Sequence, residues 1–223
     1  DSVLVAASVT AESGQRVLEL GSGNGVALCC LLYRISDLEV FGIEIDKRAA
    51  DLCRQNIIFN KFKATILNSD LTTKIRELQS VSFDHVFMNP PYFDSQKNII
   101  PTSHHNKIAK TFSVNDLPKW IDVANNLLKH NGTLTIINRV ENLLSIINSL
   151  GNHGSINILP LTSKRGKDAD RVIVQLKKGS KSKARLLYPL IIHDENGHYT
   201  DTVEKILRGS SRFDLKKLNN AHQ

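Results

Sequence analysis

The sequence predicts an α/β fold: a doubly wound, mostly parallel sheet of seven strands with helices on both faces. Three observations carry this. Short apolar runs alternate with helix-period segments along most of the chain. A glycine cluster stands between the first apolar run and the first helical segment. The polar residues with chemical potential fall just after the apolar runs, where ligands sit in open α/β sheets.

Taken in order, Arg16-Val17-Leu18-Glu19-Leu20 reads as the first strand, and residues 26–34 as a helix that is apolar on most faces. Residues 39–44 form the second strand. Residues 47–60 form the second helix, with Asp46 as its cap. The third strand is 64–68. The fourth is 83–88, stopped by Pro90-Pro91. Residues 115–129 read as a helix, with Asn131-Gly132 as a left-handed terminator. A fifth strand at 133–138, a helix at 141–150, and strands at 156–159 and 171–176 complete the set. Residues 1–178 read as one domain. Residues 179–223 read as a basic extension, packed on or continuous with it, and no repeats appear.

A chain of 223 residues, 41% hydrophobic and 23% charged, can bury its core without disulfides or a structural metal. The three cysteines, Cys29, Cys30 and Cys53, make no CxxC pair, so neither a zinc nor a redox motif is present. His104-His105 also fails as a metal pair, because adjacent side chains in an extended loop point apart and no third ligand is evident. Reduced thiols suggest the cytoplasm. No apolar run is long enough to cross a bilayer, and the first residues lack the basic region of a signal peptide. The absent starting Met suggests that the true N-terminus lies upstream. A formal charge of +7 favours polyanionic partners.

Glu19-Leu20-Gly21-Ser22-Gly23-Asn24-Gly25 is a glycine loop that lets backbone approach a ligand. A plain strand-to-helix turn would use the same glycines. The spacing is GxGxG, not the GxGxxG of the dinucleotide fingerprint, and Glu19 would repel a pyrophosphate. A carboxylate there suits a cofactor with a sulfonium and an α-amino group, as in S-adenosylmethionine. Glu44, at the end of the second strand, can accept from ribose hydroxyls. Asp70, followed by Leu71, can accept from an adenine amine, or can simply cap the next turn.

Asn89-Pro90-Pro91-Tyr92-Phe93 is the most specific segment. The Asn89 amide oxygen and the Pro90 carbonyl are two acceptors that can hold both hydrogens of one NH₂ and aim its lone pair. Tyr92 offers a face on which a planar base stacks.

Together, Glu19 to Gly25 and Asn89 to Tyr92 resemble the class I methyltransferases that act on planar amino groups. More closely, the chain resembles the bacterial tRNA1(Val) adenine-N6-methyltransferases. This likeness includes Asp1-Ser2-Val3-Leu4-Val5-Ala6-Ala7 and Gly42-Ile43-Glu44. In the tail it includes Leu187-Tyr188-Pro189-Leu190-Ile191-Ile192-His193-Asp194, Tyr199-Thr200 and Ile206-Leu207-Arg208-Gly209. The resemblance implies a Rossmann-like fold and S-adenosylmethionine bound by Glu19, Gly21, Gly23, Gly25, Glu44, Asp70 and Leu71. It implies an adenine held by Asn89, Pro90 and Tyr92, in tRNA and beside the anticodon. Pro91, Phe93, Lys97, Lys164, Arg165, Lys177 and Lys178 are the expected RNA contacts, the lysines and arginine belonging to basic groups around the pocket. The Asn-Pro-Pro-Tyr segment is shared with release-factor glutamine methyltransferases and with rRNA and DNA base methyltransferases. A non-catalytic RNA-binding module is the alternative of another class, and it has no use for both acids and that segment together.

Overall fold

The computed structural model describes residues 1–73, 75–78, 81–91, 116–209, 213 and 215. Five helices and strands open the chain: α1 (Ser2–Ser8), β1 (Arg16–Leu20), α2 (Val26–Arg34), β2 (Glu39–Glu44) and α3 (Lys47–Phe59). β3 (Thr65–Asn68), β4 (Phe83–Met88), α4 (Asp116–Leu127), β5 (Leu128–Arg139) and α5 (Leu143–Leu150) follow. β6 (Gly154–Thr162), β7 (Ala169–Lys178), β8 (Arg185–Leu186), β9 (Leu190–Ile191) and α6 (Asp201–Leu207) complete the described strands and α-helices.

Among the described residues the sheet has nine strands, two more than the sequence predicts, in the order β3-β2-β1-β4-β5-β7-β6-β8, with β9 also on β6. The extra two are two-residue strands in the tail, too short to show a period-2 pattern. β1 to β5 are parallel, and β7 is antiparallel to both β5 and β6. The order reverses between β1 and β4, which is the switch point where such sheets bind ligands.

Side-chain alternation splits the core between the two faces. On one face Val17, Ile137 and Ile173 join α1, α2, α3 and α6 through Val5, Leu28, Ile57 and Val203. On the other, Leu18, Ile136 and Val174 join α4 and α5 through Ile121 and Ile146. Leu187, Leu190, Phe213 and Leu215 of the tail are buried in the first cluster.

The Asn131-Gly132 reading is corrected. Asn131 does take a positive φ of 62°, but β5 has already begun at Leu128, which pairs with Phe83. The left-handed residue makes an irregularity inside the strand and does not terminate the helix. The Asp46 cap does form, its Oδ1 accepting from the Arg48 amide at 2.8 Å.

Candidate active site

β1 and β4 are neighbours, with Leu20 paired to Met88. The residues that follow them, Gly21 and Asn89, therefore leave the sheet side by side. This register brings the glycine loop and the Asn89-Pro90 corner to one place, though they stand far apart in sequence.

The loop is built by its glycines. Gly21, Gly23 and Gly25 have φ of 70°, 52° and 84°, which other residues adopt only at a cost. Space is also tight. A Cβ on Gly21 would lie 2.7 Å from the Trp120 ring, and one on Gly25 would lie 2.6 Å from Cys53 Sγ. The Gly21 and Ser22 amides donate to the Ile43 carbonyl at 2.9 and 3.0 Å, tying the loop to β2.

Glu44 anchors the same loop. Its Oε2 accepts from the Gly23 amide and its Oε1 from the Asp46 amide, each at 2.8 Å. A carboxylate has about four acceptor positions, so each oxygen retains a lone pair for a further donor.

Glu19 is the unusual group. It is 3% exposed, and its Oε2 meets no hydrogen-bond partner among the described residues. Burial pushes its carboxyl well above the usual carboxylate range, the nearby Glu44 pushes it further, and a backbone hydrogen bond from Leu28 partly offsets this. An acid buried with an unused oxygen is costly unless a donor or cation arrives.

Asp70 takes the local role first. Its Oδ1 accepts from the Thr72 amide at 2.8 Å and from the Thr72 hydroxyl at 2.7 Å, closing a turn. The Leu71 side chain is buried in the core and borders a cavity of about 620 Å³ with Val123 and Leu127.

Asn89 is half-buried, and its Nδ2 lies 3.4 Å from Ser2 Oγ. Pro90 is buried and Pro91 exposed. Tyr92, Phe93 and Lys97 lie outside the described residues, as do the other residues of 92–115.

The basic residues separate. Lys164 and Arg165 are exposed in the β6–β7 loop, at the sheet edge that also carries Asn89. Lys177 and Lys178 are not brought to that edge. β7 runs antiparallel, so they lie about 20–24 Å along the strand from Arg171, with Lys177 opposite Thr133 at the other edge. Lys178 Nζ donates to the carbonyls of Asn125 and Leu128 at 2.6 and 2.9 Å, closing the end of α4.

Residues 2–152 match the methyltransferase small domain family. The tRNA1(Val) (adenine(37)-N6)-methyltransferase of Bacteroides fragilis is 30% identical over 186 residues, 78% of this chain and 74% of that protein. The chain belongs to this family of methyltransferases. The protein of the same name from Actinobacillus succinogenes is 25% identical over 202 residues, 90% of this chain and 84% of that one. A solved structure from Agrobacterium tumefaciens, described as the predicted O-methyltransferase Atu636, has a TM-score of 0.79 at 25% identity. It covers 96% of this chain and 98% of its own. The methyltransferase thus has the fold of the class I S-adenosylmethionine-dependent methyltransferases that its sequence resembles. The residues present fit that cofactor, because the unused, buried Glu19 oxygen at the end of β1 suits a cationic ligand. Two features of this methyltransferase's site were not legible in its sequence. These are the Trp120 ring over Gly21 and the Ser2 hydroxyl beside Asn89, both contacts between residues distant along the chain.

Proposed function

We propose that this methyltransferase acts on the N6 amine of an adenine in tRNA, in the anticodon loop. The observation that carries the reading is the pairing of Leu20 with Met88, which sets the glycine loop beside Asn89-Pro90. The printed activity of the relatives from Bacteroides fragilis and Actinobacillus succinogenes supports the substrate.

When bound, S-adenosylmethionine supplies an electrophilic methyl carbon on a positively charged sulfur. Glu19, Gly21, Gly23, Gly25 and Glu44 are assigned to hold it, with Asp70 and the Leu71 backbone at its adenine. The oxygens of Asn89 and Pro90 accept the two hydrogens of the substrate amine and aim its lone pair, while Tyr92 stacks on the base. Positioning and preorganised acceptors do the work, and no strong base is needed. The adenine must leave its stack, which costs a few kcal/mol and less in a loop. Lys164 and Arg165, both exposed, are assigned to phosphates, and Pro91, Phe93 and Lys97 are assigned to the same RNA. Lys177 and Lys178 stand apart from this site. Residues 179–223 are read as an extension of the one domain, supported by the pairing of β8 and β9 with β6. Such an enzyme works in the cytoplasm. Among the described residues no helix is long and apolar enough to cross a membrane.

The test is nucleoside mass spectrometry of total tRNA after incubation with protein and isotopically labelled cofactor. Labelled N6-methyladenosine is expected. Asn89→Ala should cut its formation by roughly 10²–10³-fold while leaving cofactor binding nearly intact. Label on a release-factor glutamine instead, or no loss in the Asn89 variant, would overturn the reading.

A further inference from the structure

At the same edge of the sheet as the proposed amine grip lies a second cavity, of about 310 Å³. It opens between the start of α1, α6 and the β6–β7 loop. Its floor is aliphatic, from Leu4, Leu161 and Val203. His193 and Tyr199 form one wall, their rings stacked with centroids 5.0 Å apart and planes 23° apart. Tyr199 is 50% exposed, so its ring is accessible to a ligand.

The pair is held firmly. His193 and Tyr199 bridge across a short turn, and Asp194 closes that turn by accepting from the His198 amide at 2.9 Å. The His193 amide donates to the Ser163 carbonyl at 2.9 Å, and Lys164 Nζ donates to the Glu195 carbonyl at 3.2 Å. The β6–β7 loop and the aromatic turn are thereby one unit.

Another part of the wall is polar. Arg171 Nε lies 3.3 Å from Asp1 Oδ2, and its Nη1 lies 3.4 Å from Asp170 Oδ2. Two carboxylates offset one guanidinium, so this wall disfavours a phosphate. It does set the polar groups of Asp1, Asp170 and Arg171 beside the edge of a bound base. Ring faces beside an aliphatic floor, with hydrogen-bonding groups on one side, are what an unpaired nucleobase requires. The exposed cations Lys164, Arg165 and Lys167 lie outside the cavity, on the loop that forms its rim.

Location decides the ligand. Ser2 touches Asn89 and the adjoining Asp1 touches Arg171, so one turn of chain links the two sites. Four strand steps separate β4 from β9, about 19 Å along the sheet edge. A single strand of RNA can span this within a few nucleotides. We propose that this cavity binds one unpaired RNA base a few nucleotides from the target adenine, stacked on Tyr199 and read along its edge by Arg171 and Asp170. The proposal rests on the tRNA reading above and adds a residue-level source of substrate choice.

The test uses the full chain and an anticodon stem-loop RNA carrying one 2-aminopurine, moved stepwise away from the target adenine on either side. Binding should quench the probe at one flanking position, and Tyr199→Ala should abolish that quench. The same variant should raise KM for the RNA about tenfold, with kcat and cofactor Kd unchanged. Tyr199→Phe should stay within about twofold of the parent, because stacking needs a ring and no hydroxyl. An unchanged KM in Tyr199→Ala, or the absence of a position-specific quench, overturns this proposal while leaving methylation of the stem-loop intact. If the parent protein methylates no RNA, both readings fall.

Discussion

Glu19 makes the sharpest residue-scale prediction. Its carboxyl is held above the ordinary range by burial, so the folded protein retains a proton that the unfolded chain has already released. Over that window the unfolded state binds fewer protons, and stability falls as pH rises from the ordinary carboxylate value towards the raised one. Glu19→Gln removes the titration and should flatten this slope. Thermal unfolding of the ligand-free protein from about pH 5 to about pH 8 checks it. The variant should melt higher at neutral pH, by about 2–4 °C for each ~1 kcal/mol regained in a chain of this size. It should also bind S-adenosylmethionine more weakly, because a cationic ligand favours the ionised acid. A neutral-pH melting temperature no higher than the parent's would mean that Glu19 imposes no such cost. The places of Glu19 and Asn89 in the fold were legible in the sequence, because Glu19 lies near the end of an apolar run and Asn89 directly follows one. That of Ser2 was not, since its contact with Asn89 spans 87 residues.

At the scale of elements, α4 lies against the glycine loop, and Trp120 is the contact. The sequence placed this helix nearly correctly but gave no sign of the contact, because helical periodicity says which face is apolar and not what it meets. Trp120 is the single tryptophan, so its fluorescence reports on this junction alone. Titration with S-adenosylmethionine should change that emission. Gly21→Ala should blunt the change and weaken cofactor binding. Its Cβ must displace the indole, and a left-handed backbone costs an alanine about 1–2 kcal/mol. An Ala variant with the parent's affinity and emission would show that Trp120 and the loop are not coupled. Element ends were harder to read than element types. Asn131-Gly132 has the composition of a helix stop and adopts the expected positive φ, yet β4 had already captured the backbone at Leu128. Strand pairing overrode a local signal.

For the whole molecule, the direction of one strand decides where the positive charge acts. The sequence groups Lys177, Lys178, Lys181 and Lys183 just after a strand, and in a wholly parallel sheet that end would face the ligand. β7 is antiparallel, so its carboxyl end points the other way, and sequence adjacency carries no information about that reversal. Lys178 is moreover engaged with the carbonyls of Asn125 in α4 and Leu128 at the start of β5. The β6–β7 loop, with Lys164, Arg165 and Lys167, brings exposed cations to the edge that bears Asn89. Each phosphate neutralised by such a cation releases counterions, giving a slope of about −0.7 per contact in log K against log salt for single strands and about −0.9 for duplex. Replacing Lys164, Arg165 and Lys167 together with Ala should therefore reduce the magnitude of the slope for stem-loop RNA by roughly 2–3. Replacing the exposed Lys181 and Lys183 should leave it nearly unchanged. Fluorescence anisotropy over a salt series, with the parent and both variants, measures all three slopes. If the Lys181 and Lys183 change flattens the slope and the loop change does not, the RNA lies along the opposite edge of the sheet. The assignment of the β6–β7 loop would then be wrong, even with Asn89 correctly placed.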